Sequence, residues 1–274
     1  VNDSDILAGG RFFAEAQYVT HDEPLENRAN NASWREVNVT LNSMNAVDAC
    51  QSSVQFMEPA IKAWATEGAS IKDLATPVEG AHVWVGYNTS DNGDGTWRYM
   101  YAVQNLNSVR GIRSFTVEVP SCVTVTNTGF HDVDYHSGEP YDGTDWAVEI
   151  GGGTVTWSTD AFEDNQFANA IRWGTAYSFW FDADQPPVMN GRGSLGMFRP
   201  SAINSMATPL STPLIPCSSC PGDVNGDETV DIADMLQVIG VWGPCSGCIE
   251  DFSGNNVIDV ADLLVVLAGW GDCP

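Results

Sequence analysis

Through most of the first 199 residues, apolar and polar side chains alternate one by one in short runs separated by turn residues. The clearest case spans His82 to Gln104. Val83, Val85 and Tyr87 alternate on the way out, an Asn/Asp/Gly cluster from Asn88 to Gly95 supplies a turn, and Trp97, Tyr99, Tyr101 and Val103 alternate on the return. A period of two puts one row of side chains on each face of a pleated strand, so this stretch predicts a β-hairpin with one buried face. The same reading applies to Phe12 to Val19, Trp34 to Leu41, Phe115-Val117-Val119, Val123-Val125, Val148-Ile150, Val155-Trp157 and Tyr177-Phe179-Phe181. One helix is expected from Glu58 to Glu67, where Pro59 suits a first turn, Ile61, Trp64 and Ala65 share a face, and Gly68 ends it. About ten strands with a single helix point to an antiparallel β-sandwich over residues 1–199, not to βαβ units.

The pattern changes near the C-terminus. Between Asp223 and Gly271 one unit is written twice at a spacing of 28 residues: Asp223 maps onto Asp251, Asp231 onto Asp259, Asp234 onto Asp262, and Trp242-Gly243 onto Trp270-Gly271. Each copy places oxygen-bearing residues at positions 1, 3, 5, 7, 9 and 12 of a loop that runs straight into an apolar helix, Ile232 to Trp242 and Val260 to Trp270. That spacing suits a hard cation wanting six to eight oxygens. In the first copy the positions are Asp223, Asn225, Asp227, the Thr229 carbonyl, Asp231 and Asp234; in the second they are Asp251, Ser253, Asn255, the Val257 carbonyl, Asp259 and Asp262. Two Ca²⁺ ions are expected, and the first loop, with four carboxylates against three, is expected to hold its ion more tightly.

Paired loops closed by Asp at position 12, with no entering helix, resemble the type I dockerin module of secreted bacterial proteins, a small α-helical paired EF-hand unit. The resemblance covers about 54 of the 274 residues. It implies calcium-dependent attachment through a protein partner or through other copies of the chain. Two departures stand out. Position 6, usually Gly, is Glu228 in one copy and Asn256 in the other, and helix positions that are polar in cohesin-binding dockerins are Ile232-Ala233 and Val260-Ala261 here. The larger region is also similar to uncharacterised secreted bacterial proteins with such tails, through Thr96-Trp97-Arg98-Tyr99, Val103 to Ser108, Gly129 to Gly138 and Arg172-Trp173-Gly174. That similarity implies no activity.

Charge narrows the partners. With 36 Asp and Glu against 11 Lys and Arg, and no Lys or Arg after Arg199, the chain repels phosphate, so nucleic acid and anionic membranes are not expected. No apolar run is long enough to span a bilayer. The chain starts at Val1 and reads as a mature secreted protein from which a leader has been cut. Asn2, Asn31, Asn38 and Asn88 begin glycosylation triplets. Residues 200–219 are rich in Pro, Ser and Thr and read as an extended linker, leaving 220–274 as the small module.

Seven cysteines suit an oxidising compartment. Cys50 and Cys122 form one candidate pair. The other five are Cys217, Cys220, Cys245, Cys248 and Cys273, and two CxxC motifs among them admit zinc as well as disulfides. Disulfides are the expectation, because the motif recurs with the repeat. Repeat symmetry suggests Cys220–Cys245 and Cys248–Cys273; antiparallel packing of the two helices suggests a Cys220–Cys273 clasp.

The densest polar cluster is His131, Asp132, Asp134, His136, Glu139, Asp142 and Asp145. Carboxylates beside histidines are raw material for metal binding or acid–base chemistry, but Gly138, Pro140 and Gly143 describe a loop between strands. No nucleophile elbow, phosphate loop or dinucleotide fingerprint occurs. The reading is a non-enzymatic structural or adhesive protein, a surface scaffold or filament. The alternatives are a polysaccharide-binding protein that uses exposed tryptophans and a hydrolase centred on Asp132, Asp134 and Glu139.

Overall fold

The computed structural model describes residues 3, 6, 9–19, 24–40, 47–50, 52–76, 79–134, 138–213, 220–245 and 248–273. The chain is mainly β, and every strand pairing is antiparallel. A three-stranded sheet comes first, formed by β1 (Phe12–Gln17), β2 (Ala32–Val39) and β3 (Val47–Cys50). The expected strand from Trp34 thus ends at Val39, and Leu41 lies outside the described residues.

Two five-stranded sheets follow. One has the order β4 (Ser70–Ala75), β5 (His82–Asp91), β6 (Trp97–Asn105), β11 (Thr175–Ala183), β8 (Val125–His131). The other runs β13 (Ser205–Pro213), β12 (Pro187–Met197), β7 (Ile112–Glu118), β10 (Thr154–Ser158), β9 (Ala147–Gly151). The β5–β6 hairpin pairs Val83 with Asn105 through to Asp91 with Trp97, as the alternation predicts. Its inward row of Val83, Val85, Tyr99, Tyr101 and Val103 is buried.

One core joins these two sheets. Phe115 of β7 meets Tyr101 of β6 and Phe179 of β11 at ring-centroid distances of 5.4 and 5.0 Å, and Trp157 of β10 meets Phe179 at 5.5 Å. Offset and edge-on contacts of this kind add to the burial of large apolar area. Buried hydroxyls find acceptors: Tyr101 donates to the Ser211 carbonyl at 2.7 Å and Tyr99 to the Gln185 carbonyl at 2.7 Å. The expected helix near Glu58 is present as a 3₁₀ helix, Ala60–Glu67, ended by Gly68 at φ 88°.

Residues 205–213, expected in a linker, form an edge strand instead. β13 pairs with β12 from Pro187↔Pro213 to Gly196↔Ser205, and Leu210 is fully buried. An edge strand tolerates Pro209 and Pro213 because one side of its backbone needs no ladder partner. β12 itself breaks the alternation rule through Gly191, Gly193 and Gly196. A Cβ at these positions would run into Thr212, Leu210 and Ser114, whose side chains lie across the bare backbone.

The C-terminal module consists of two loop–helix units. Their helices are α1 (Ile232–Gly240) and α2 (Val260–Ala268), which pack against each other. Their shared small core contains Val230, Val238, Ile258 and Val266. Two short strand pairs tie the units together. β14 (Thr229–Val230) pairs with β17 (Gly271–Asp272), and β15 (Gly243–Pro244) pairs with β16 (Val257–Ile258). Each loop therefore pairs with the chain that leaves the other helix. Among the described residues no helix is long and apolar enough to cross a membrane.

Candidate metal centre

The two loops are built alike. In the first, Asp223 at position 1 accepts N–H bonds from Gly226 (2.7 Å) and Glu228 (3.0 Å), which curl the loop around its carboxylate. Asp234 at position 12 accepts from Val224 (2.7 Å), Asn225 (3.1 Å) and Asp231 (2.8 Å), fixing the start of α1 to the start of the loop. Asn225 and Asp227 are joined at 2.9 Å, and Asp231 caps α1 by accepting from Ala233 at 2.6 Å. The second loop repeats this design: Asp251 accepts from Asn255 and Asn256, Asp262 from Ser253 and Asp259, and Asp259 from Ala261. Asp234 and Asp262 are both fully buried. Position 6 adopts φ 67° at Glu228 and 62° at Asn256, so the sharp left-handed turn is made without glycine.

Two of the loop carboxylates are shifted in opposite directions. Burial, the largest influence, raises the pKa of Asp223; the N–H groups of Gly226 and Glu228 pull it down, and the charges of Asp234 and Asp227 raise it again. In the second loop burial also disfavours ionised Asp262 most strongly, but donors from Asp259 and Ser253 outweigh it and hold the carboxyl below its ordinary value. Residues 220–274 contain ten carboxylates and no Lys, Arg or His to balance them.

The ligand side chains are linked through the backbone rather than drawn to a single point. Among the described residues, the one trio of His, Cys, Asp or Glu whose ligand atoms converge within 4.8 Å is Cys220, Asp223 and Cys273. That trio is not a metal cluster, because Cys220 and Cys273 are bonded to each other.

Disulfides, not zinc, claim these cysteines. Cys220–Cys273 and Cys245–Cys248 are the observed bonds, with Cα separations of 5.3 and 5.9 Å. The clasp expected from antiparallel helices is present, and the pairing by repeat, Cys220–Cys245 with Cys248–Cys273, is not. The reason is that the repeats are related by a two-fold swap. Cys220 corresponds to Cys248 and Cys273 to Cys245, so both bonds join the chain entering one loop to the chain leaving the other helix. Cys122 is disulfide-bonded as well. The side chain of Cys50 and all of Cys217 lie outside the described residues.

The first loop touches the chain that leaves β7. Ser121 donates its hydroxyl to the Gly226 carbonyl, and a Cβ on Gly226 would lie 3.0 Å from Pro120; the equivalent Gly254 has nothing within 4 Å. A cleft of about 800 Å³ runs along this junction, lined in part by Pro120, Ser121, Gly153, Asn225, Asp227 and Glu250.

The helices end at Gly240 and Ala268, short of the expected Trp242 and Trp270, and with those tryptophans they leave matched apolar stripes uncovered. Ile232, Leu236, Ile239 and Trp242 are 62, 60, 45 and 49% exposed, and their counterparts Val260, Leu264, Leu267 and Trp270 are 58, 57, 46 and 51% exposed. Periodicity alone does not single out these residues, because Val238 and Val266, which are fully buried, lie on the same helices. The 28-residue register marks them as pairs.

The cluster from His131 to Asp145 is held by asparagines. Asp132 accepts from the Asn169 amide, which also donates to the Thr144 carbonyl at 3.0 Å, while Tyr177 donates to Asn169 Oδ1 at 2.6 Å. Asp142 accepts from Asn165 at 2.8 Å and from the Thr144 N–H at 3.2 Å. Asp132 and Asp142 are thus held by different asparagines, and His136 lies outside the described residues. Trp84 and Trp157 are buried, so neither offers a face for sugar stacking. No family model matches the chain, and no match was found among curated proteins.

Proposed function

We propose that this is a secreted, non-enzymatic structural or adhesive protein: a β-sandwich joined to a dockerin-like module that holds two Ca²⁺ ions and mediates extracellular attachment or self-assembly. The observation that carries this reading is the pair of uncovered apolar stripes at equivalent positions of α1 and α2. Apolar faces of this size are expensive to leave in water and mark contact surfaces. Their duplication under a two-fold swap offers a partner two equivalent faces, or gives neighbouring copies one face each.

The donor set fits a hard cation. Each loop supplies carboxylate, amide or hydroxyl oxygens and a carbonyl; the position-12 carboxylate is buried, and no basic side chain of the module neutralises it. Asp223, Asn225, Asp227, the Thr229 carbonyl, Asp231 and Asp234 would hold the first ion. Asp251, Ser253, Asn255, the Val257 carbonyl, Asp259 and Asp262 would hold the second. A bound cation would offset the like-charge repulsion around Asp223 and fix the direction of the following helix, and so the presentation of its stripe.

The test is light scattering of the full chain during size exclusion, in calcium and in chelator, alone and with envelope extracts. Calcium-dependent complexes that disappear in the Leu236→Lys/Leu264→Lys double variant support the reading. A chain that stays monomeric and unbound in both conditions contradicts it.

A further inference from the structure

The two five-stranded sheets have four outer edges, and three of them are guarded against pairing with another chain. β13 carries Pro209 and Pro213, β4 carries Lys72 at its centre, and β8 has a register break opposite Trp180 and Asp182 with Asn127 at positive φ. Prolines, lysines and bulges are how sheets blunt their edges. β9 has no proline, lysine or bulge, and its one charged residue is Glu149, which guards it against like-charged strands only. Its sequence, Ala147-Val148-Glu149-Ile150-Gly151, pairs in unbroken register with β10 and, among the described residues, with no strand on its other side, and it is exposed along its whole length. The strand is nevertheless anchored at both ends. Trp146 is buried in the core just before it, and Gly152 and Gly153, both at positive φ, close a two-residue turn into β10.

The register shows what is missing beside it. Val148 stands opposite Trp157 and Ile150 opposite Val155, both fully buried, so Val148 and Ile150 belong to the inward row. They remain 38 and 54% exposed, so this row extends past what the opposing sheet covers. Glu149 points to the other face, and neither β9 nor β10 contains a basic residue.

We propose that β9 is a strand-addition site for an extended segment of a partner protein that carries a Lys or Arg between two apolar residues. The open side of the β9 backbone supplies ladder hydrogen bonds, the apolar residues cover Val148 and Ile150, and Glu149 selects the cation. A second copy fits poorly: antiparallel self-pairing centred on β9 sets Glu149 against Glu149, in a chain with 36 acidic and 11 basic residues. The site lies on the sheets and is independent of the cation loops.

The test uses a fluorescent nonapeptide, GTTVKVTTG, and its Glu-for-Lys counterpart, each titrated onto the full chain by anisotropy. The Lys peptide should bind about tenfold more tightly, a swing of about 1.4 kcal/mol from exchanging an attractive cross-strand pair for a repulsive one. Glu149→Lys should invert the preference, and Ile150→Lys should abolish binding of both peptides without lowering the melting temperature. Amides 147–151 should exchange more slowly in the complex, and chelator should change nothing. The proposal is overturned by no binding, by a Lys preference that survives Glu149→Lys, by binding that chelator removes, or by Glu149→Gln converting the chain into a dimer.

Discussion

The sheets and the C-terminal module solve the problem of holding a fold together in opposite ways. The sheets enclose a continuous aromatic core, with Tyr99, Tyr101, Phe115, Trp157, Tyr177, Phe179 and Phe181 at or below 1% exposure. The module has a core of a few valines, isoleucine and cystine, and it relies on carboxylates bonded to backbone N–H groups, on two disulfides and on short strand pairs. Large apolar burial makes a fold self-sufficient, whereas a small unit needs cross-links or ions. The sheets should therefore tolerate chelator, whereas the module should be loosened by chelator and by reductant.

The largest effects should fall on each region separately. Trp157→Ala removes a fully buried indole from the junction of the two sheets and should cost about 3–5 kcal/mol of sheet stability. Calorimetry should show the sheet transition moving down with the module transition in place; a joint shift would break the distinction between the regions. Replacing Cys220 and Cys273 with Ser opens a closure of sequence separation 53 and should cost the module about 4 kcal/mol, against about 2 kcal/mol for Cys245 and Cys248, separated by 3. Proteolysis after each double substitution should follow that order.

A smaller effect sharpens the comparison from the side of the sheets. Arg98 and Asp182 pair across β6 and β11, with a second bond from Arg98 to Asp182 at 3.1 Å and one from Asn127 at 2.8 Å. The bond from Arg98, ahead of the opposing effect of partial burial, lowers the pKa of Asp182. Its stabilisation is therefore fully present above the unfolded carboxylate value of about 4 and is lost as pH falls through the depressed folded value. Asp182→Asn should cost the sheets about 1–2 kcal/mol at pH 7, and the difference from wild type should shrink below pH 4. A difference that stays constant from pH 7 to pH 3 would remove the ion pair from the account.

Parts of this architecture are written in the chain and parts are not. The β5–β6 hairpin is legible because strict alternation meets a Gly-rich turn, and the two loop–helix units are legible because the 28-residue register aligns them. Strands β12 and β13 are hidden. Glycines in β12 make room for Thr212, Leu210 and Ser114, and prolines in β13 imitate a linker while an edge strand accommodates them. Disulfide pairing was legible only as alternatives, since a linear repeat does not reveal that its copies meet by a two-fold swap. Asn165 and Asn169, which bond Asp142 and Asp132, are distant in sequence from Asp132 and carry no periodic signal.

The central claim is that the twin acidic loops fold around divalent ions. It is tested most directly by calorimetric titration of Ca²⁺ into the chelator-stripped chain of 274 residues, with Asp234→Ala and Asp262→Ala variants alongside. The account predicts two binding events: Asp234→Ala removes the tighter and Asp262→Ala the weaker. A titration without heat, in which amide exchange across 223–273 is the same with and without calcium, would contradict it.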